Sequence, residues 1–283
     1  MADVSIYWFR DDLRLADLPG LTVAAQAGPV IPVFVRDPDL GGAWRMGSAS
    51  QWWLHHSLLS LRTRLAEQGL ELILQSGDTV AALSTLAAQT GATTIYCSRH
   101  YQPWSAGLET TLRERLSNQG VELKRYPGTL LHEPEDVATG GGTPFKVFTP
   151  FWRACNRRPD PHLPMPTPEL TGYDGVIEGE ELSDWQLLPT SPNWAFGWND
   201  LWNPSEAGAQ AALNQFLDHH VEDYGDGRDI PAEPNTSKLS PYLRFGNISP
   251  RQVWHAAQQS KIERPEVAEA IDKFLSEIGW REF

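Results

Sequence analysis

Five short runs of apolar, β-branched and aromatic residues punctuate the first 130 positions: VSIYWF (4–9), VIPVFV (30–35), LELILQ (70–75), TTIYCS (93–98) and VELKRYP (121–127). Between them lie longer stretches whose apolar positions recur every three or four residues. Leu54, Leu58, Leu61 and Leu65 form one such stripe in SQWWLHHSLLSLRTRLAEQG. That segment predicts a helix capped by Ser50 and stopped by Gly69. Residues 18–28, 79–91 and 105–120 predict three more helices. Strands separated by helices of this length mean βαβ units, a parallel sheet and helices on both faces. Ligands of such sheets bind at the carboxyl ends of the strands.

The pattern changes near residue 157. RPDPHLPMPTPEL is rich in proline and TGYDGVIEGEELSDW is acidic. This texture predicts a linker, and the organisation expected is an α/β domain at 1–130, a linker at 131–200 and a helical domain at 201–283. In the last part, Ala212, Leu213, Phe216 and Leu217 have helical spacing. SPYLRFG and SPRQVWHAAQQS each place Ser before Pro at a helix start (Ser240 and Pro241, Ser249 and Pro250). The final segment carries the stripe Ile271, Phe274, Leu275 and Ile278 and has no stop signal after it.

Composition narrows the possibilities. A chain of 283 residues suits two domains. No run of about 18 apolar residues occurs, so no membrane span is expected. The first residues carry no basic leader, and Cys97 and Cys155 are the only cysteines, which together point to the cytoplasm. No Cys or His spacing suits zinc, and no metal is expected. A net charge of −13 argues against a dedicated nucleic-acid binder. The 12 tryptophans fit a large aromatic core, though flat-ring ligands would also use some of them.

No Gly-x-Gly-x-x-Gly or Walker loop follows any strand, and GGGTP (140–144) reads as a turn. Two clusters carry candidate chemistry. Thr236, Ser237 and Ser240 place three hydroxyls in five residues before a helix start. Such a group suits a phosphate, and it equally suits an ordinary cap and polar loop. In the last helix, Trp280 falls roughly opposite the apolar stripe, with Glu277 about 60° away. Arg281 follows Glu277 by four residues, on a flank. A tryptophan off the core stripe needs cover from protein, a second subunit or a ligand.

YWFRDDLRL (7–15), GSASQWWLHHSLLSL, IYCSRHYQPW, PFKVFTPFWRA, RDIPAEPNTSKLSPYLRFGNISPRQVW and FLSEIGWREF together resemble the DNA photolyase/cryptochrome family, in order and end to end. The nearest resemblance is to bacterial enzymes that repair cyclobutane pyrimidine dimers. It implies an α/β antenna domain and a helical FAD-binding domain in a cytoplasmic, monomeric carbon–carbon lyase acting on UV-damaged DNA. By motif, Tyr224, Thr236, Ser237, Lys238, Leu239 and Ser240 would contact FAD, and Arg281 would face it. Arg228 would meet a DNA phosphate. Glu277 and Trp280 would meet the flipped-out dimer as the catalytic pair. Light-excited reduced FAD would donate the electron that splits the dimer.

The chain departs from the family pattern in three places. Asp17-Leu18 stands where the signature continues Asp-Asn. QPWSAGLE lacks the Asn-Glu pair of folate-antenna members, which leaves a deazaflavin or no antenna at all, with a deazaflavin favoured over folate. Family members also continue well past Trp-Arg-Glu-Phe, so the helical domain is expected to be truncated, with core faces uncovered. Two alternatives are a cryptochrome-type photoreceptor and a pigment- or nucleotide-binding module without enzyme activity.

Overall fold

The structure, a computed structural model, describes residues 3–283. Met1 and Ala2, which belong to the stretch read as lacking a leader, lie outside the described residues. Two compact units emerge. One contains the chain up to Thr129 together with Met165–Glu206 and Arg244–Asn247; the other contains Leu130–Pro164, Ala207–Leu243 and Ile248–Phe283. The stretch 131–200 is thus shared between them.

In the first unit all five apolar runs are strands: β1 (Ser5–Phe9), β2 (Val30–Arg36), β3 (Ile73–Ser76), β4 (Thr94–Ser98) and β5 (Glu122–Tyr126). They form one parallel sheet in the order β3-β2-β1-β4-β5. Every residue of β1 is buried, as a central strand covered on both faces requires. Helices α1 (Pro19–Ala27), α2 (Ser48–Ala66), α3 (Thr79–Thr90) and α4 (Ser105–Ser117) alternate with the strands. The core of the sheet joins Ile6, Ile31, Val33 and Ile95 to Leu83 and Leu86 of α3 and Leu112 of α4. The leucine stripe of α2 is buried as expected. Ser50 does not cap that helix, however. Extended backbone at Gly47 starts it three residues earlier, and Ser50 lies inside its first turn.

The segment YWFRDDLRL proves to be a fastener. Asp12 accepts hydrogen bonds from the Tyr7 hydroxyl at 2.9 Å and from the Arg10 backbone N–H at 2.7 Å. Arg10 lies over the Trp8 ring and pairs with buried Glu109 of α4 at 2.5 Å; Glu109 also receives Arg125 of β5. Arg14, only 1% exposed, donates to the carbonyl oxygens of Ala16, Asp17, Gly128 and Gly246. Leu18 sits in the core, and Asp17 exchanges bonds with the backbone of Met165. Core packing therefore accounts for the Asp17-Leu18 departure. Residues 165–206 run over the same unit and shield the β3 edge, where the Glu180 N–H donates to Leu74. This stretch also holds α6 (Trp198–Leu201).

The second unit is helical: α5 (Phe148–Cys155), α7 (Glu206–His219, less its first residue), α8 (Tyr224–Gly227), most of α9 (Ser240–Phe245), α10 (Pro250–Glu263) and α11 (Ala268–Glu282). Ser249 caps α10 in a reciprocal capping box with Gln252, and Pro250 takes the first turn. The stripe of α11 is fully covered, contrary to the expectation of bare core faces. Phe274 meets the rings of Phe216 in α7 at 4.7 Å and Tyr224 in α8 at 5.7 Å. Ile271, Leu275 and Ile278 are buried with it, because α7, α8 and α10 already enclose this side of the helix. Among the described residues, no helix is long and apolar enough to cross a membrane.

Gly246 tests the fastener. Its φ is +68°, and a Cβ there would stand 2.3 Å from the Asp11 carbonyl oxygen and 2.4 Å from the Asp12 Cα. Both obstacles are backbone, so Gly246→Ala should destabilise the α/β unit by roughly 2–4 kcal/mol. Denaturant melts followed by circular dichroism would show this, and an unchanged midpoint would refute it.

Candidate active site

Helix α11 places the candidate residues by its period. Glu277 and Trp280, three apart, share the face opposite the buried stripe. The first neighbour of Glu277 is Arg228, which follows the short helix α8. The two form a direct ion pair, and Lys273, one turn back on α11, stands 3.7 Å from the same carboxylate oxygen. The guanidinium of Arg228 also lies over the Tyr224 ring, 5.7 Å from its centroid, and reaches Asp229 at 3.5 Å. Burial raises the Tyr224 hydroxyl above its ordinary pKa, and Arg228 only partly offsets this. The bond to Glu277 raises Arg228 in turn. Both side chains of the ion pair remain about a quarter exposed, so the pair orients more than it stabilises.

Trp280 is half-exposed, and its cover comes from an element to which the sequence reading assigned no role. Phe148, the first residue of α5, stacks on the indole at 3.8 Å between centroids, with 9° between planes. Phe283 meets the same indole edge-on at 5.8 Å. Trp152, one turn further along α5, lies within 11° of the Phe148 plane. It packs against Gly279, where a Cβ would come within 2.4 Å of the indole. The glycine of Ile-Gly-Trp is therefore a seat for Trp152. The 148/152 spacing in PFKVFTPFWRA was a legible signal for one aromatic face.

The 236–240 run takes a different form. Thr236, Lys238 and Ser240 are exposed, and among the described residues their side chains form no hydrogen bond or ion pair. Lys238 adopts a φ of +53°, which turns the chain into α9. Ser237 accepts a long bond from the Leu239 N–H, and Leu239 is buried and anchors the run. Two free hydroxyls and a free ammonium on a fixed turn fit the phosphate-bearing part of a dinucleotide in donor chemistry. Arg281 lies at the end of α11 and pairs with Glu282 at 3.0 Å. Among the described residues, no hydrogen bond or ion pair joins the 236–240 run to the Arg228–Glu277 pair. The structure thus brings Tyr224, Arg228 and Glu277 together, with Trp280 on the same helix as Glu277; the run makes no bond to them, although Asn235, just before it, packs against Gly227 of α8.

Glu282 was also missed. Its buried carboxylate accepts the backbone N–H groups of Leu131 at 2.7 Å and His132 at 3.2 Å, which ties that loop to the end of α11. Burial pushes it up to about 7, against the pull of Arg281 and the two N–H groups.

A parallel α/β unit is thus joined in one chain to a helical unit whose α11 carries a cation (Lys273), a carboxylate (Glu277) and an indole (Trp280) off its apolar stripe, a two-part α/β-plus-helical architecture. Comparison with known proteins gives the family. Residues 5–169 match the profile described as DNA photolyase. The deoxyribodipyrimidine photo-lyase of Agrobacterium fabrum is 43% identical over 280 residues, covering 98% of this chain and 57% of that protein. Cryptochrome-2 of Arabidopsis thaliana is 31% identical, over 99% of this chain and 47% of that protein. The crystal structure of a class III photolyase from Agrobacterium tumefaciens matches with a TM-score of 0.94 and 42% identity, over 100% of this chain and 58% of that one. The chain belongs to the DNA photolyase family, whose photolyases and cryptochromes are flavoproteins of DNA repair and blue-light sensing. It spans about half the length of these relatives.

Two outcomes follow from this geometry. Gly279→Ala should dislodge Trp152, costing roughly 1–3 kcal/mol and changing tryptophan emission. Wild-type emission together with an unchanged melt would refute the close packing. Glu282 sets a pH dependence. Its folded pKa of about 7 lies above the ordinary carboxylate value of 4.5, so the folded state holds the extra proton between them. Stability should therefore fall as pH rises through that window, by on the order of 3 kcal/mol. Glu282→Gln should remove this slope, while the opposing contribution of His132, lowered by burial, persists in both proteins. Parallel stability curves for the two proteins between pH 4 and 8 would rule the assignment out.

Proposed function

We propose that this chain carries part of the substrate and cofactor machinery of a light-driven DNA-repair flavoenzyme, and that the substrate is the cyclobutane pyrimidine dimer. The observation that carries the reading is the shared face of α11, with a half-exposed indole three residues from a carboxylate held by Arg228. A damaged base step is cheaper to unstack by a few kcal/mol, so a flipped dimer is within reach. Trp280 would stack on it, a contact worth about 1–3 kcal/mol per base. Glu277 would hydrogen-bond a pyrimidine edge. Arg228 and Lys273, both beside that carboxylate, would balance negative charge arriving there. Arg228 would also answer a DNA phosphate, in exchange for part of its hold on Glu277.

FAD is the cofactor this reading requires. Reduced and light-excited when bound, it would lend the electron that opens the dimer and would recover it once the ring has split. Thr236, Ser237, Lys238 and Ser240 would hold its phosphates, Leu239 would support them from the core, Tyr224 would complete the wall from α8, and Arg281 would face it. Where an antenna is bound, a deazaflavin is the candidate that the motif resemblance favours over folate. The working form proposed is a monomer. The net charge of −13 makes long-range attraction to DNA weak, so recognition falls to these local groups.

A light-receptor role is the second reading, favoured by the similarity to cryptochrome-2 across 99% of the chain. The two readings separate on DNA. The repair reading expects the purified chain to prefer a dimer-containing oligonucleotide over its undamaged twin, and Trp280→Ala to lose about tenfold of that preference. It also expects added FAD fluorescence to be quenched by the chain and less so by a Ser237→Ala, Lys238→Ala double variant. Flavin quenching without dimer preference would support the receptor; absence of both would overturn the flavoenzyme reading.

A further inference from the structure

We propose that Phe148 is a positioning residue for the dimer site, acting through Trp280; this rests on the repair reading above. Trp280 sits near the end of α11, half in solvent, where an indole with two rotatable side-chain bonds would otherwise sample several orientations. Phe148 removes that freedom. The ring contact at 3.8 Å and 9° fixes the plane of the indole, and Phe283 bounds its edge. Phe148 is itself held at the start of α5, packed against the small cluster of Val137, Phe151 and Cys155. The neighbouring turn of α5 is seated on α11 through Trp152 and Gly279. The plane of Trp280 is thus set by a second helix and not by α11 alone. An aromatic platform already oriented before a base arrives loses less freedom on binding than a mobile one, and that difference appears as affinity. The motif PFKVFTPFWRA, which the flavin and dimer assignments leave unused, gains a task.

The test uses the full chain and two single-stranded thymidine oligonucleotides, one with a central cyclobutane dimer and one without. Phe148→Leu keeps an apolar side chain of similar size but removes the ring, and Phe148→Tyr restores the ring. Phe148 is only partly buried, so the thermal midpoint of Phe148→Leu should stay close to wild type. The proposal expects Phe148→Leu to lose roughly five- to tenfold in dimer preference, with affinity for undamaged DNA unchanged, and Phe148→Tyr to recover it. A spectroscopic arm reads the orientation directly. The near-ultraviolet circular dichroism assigned to Trp280, by difference from Trp280→Phe, should be strong with Phe148 present and collapse in Phe148→Leu. If Trp280→Ala loses dimer preference while Phe148→Leu keeps both the preference and the Trp280 signal, the positioning role is overturned and the dimer site stands. If the wild-type chain shows no dimer preference, the site reading itself fails and this proposal falls with it.

Discussion

A single buried guanidinium organises the α/β unit. An arginine side chain cannot shed its charge by losing a proton, and Arg14 is almost without solvent. Every N–H it points inward must therefore find an oxygen. It finds four carbonyls, from the loop after β1, from Gly128 beyond β5, and from Gly246 far along the chain. These bonds close segments that are distant in sequence onto the end of the central strand. Asp11 supports the same junction. Burial alone would discourage its charge, but His100 and Arg244 outweigh burial and hold the carboxyl well below its usual range. Because a buried charge left unpaired is costly, loss of any one carbonyl contact would be felt by the others.

The helical unit is organised by packing more than by charge. Phe216, Tyr224 and Phe274 form an aromatic wedge that buries the stripe of α11. With that face fixed, the period of the helix leaves Glu277 and Trp280 on the other side. Arg228 then meets Glu277 because Tyr224, one turn before it, is locked into the wedge. Candidate chemistry and core packing are two faces of the same helix turn, so the core residues Phe216 and Phe274 decide where the candidate groups sit.

Much of the architecture was legible in the chain. Five apolar runs and the helical stripes between them predicted the sheet, because periodicity reports burial directly. Ser249 and Pro250 announced a helix start that the structure contains. The start of α2 was less legible, since Gly47, Ser48 and Ser50 all suit a helix end and only backbone geometry separates them. The partners that cover the stripe of α11 were not legible: hydrophobic spacing says that a face is buried, and not by which helix.

The sequence by itself determined the alternation of strands and helices along the chain, the apolar face of α11, and the placing of Glu277 and Trp280 off that face, because each follows from local spacing. Tertiary structure alone decided that Arg228 reaches Glu277, that Phe148 stacks on Trp280, and that Arg14 binds carbonyls more than 200 residues apart, Gly246 among them. Such contacts join positions remote in sequence. Their partners are selected by how helices and loops pack, and no local pattern records that choice.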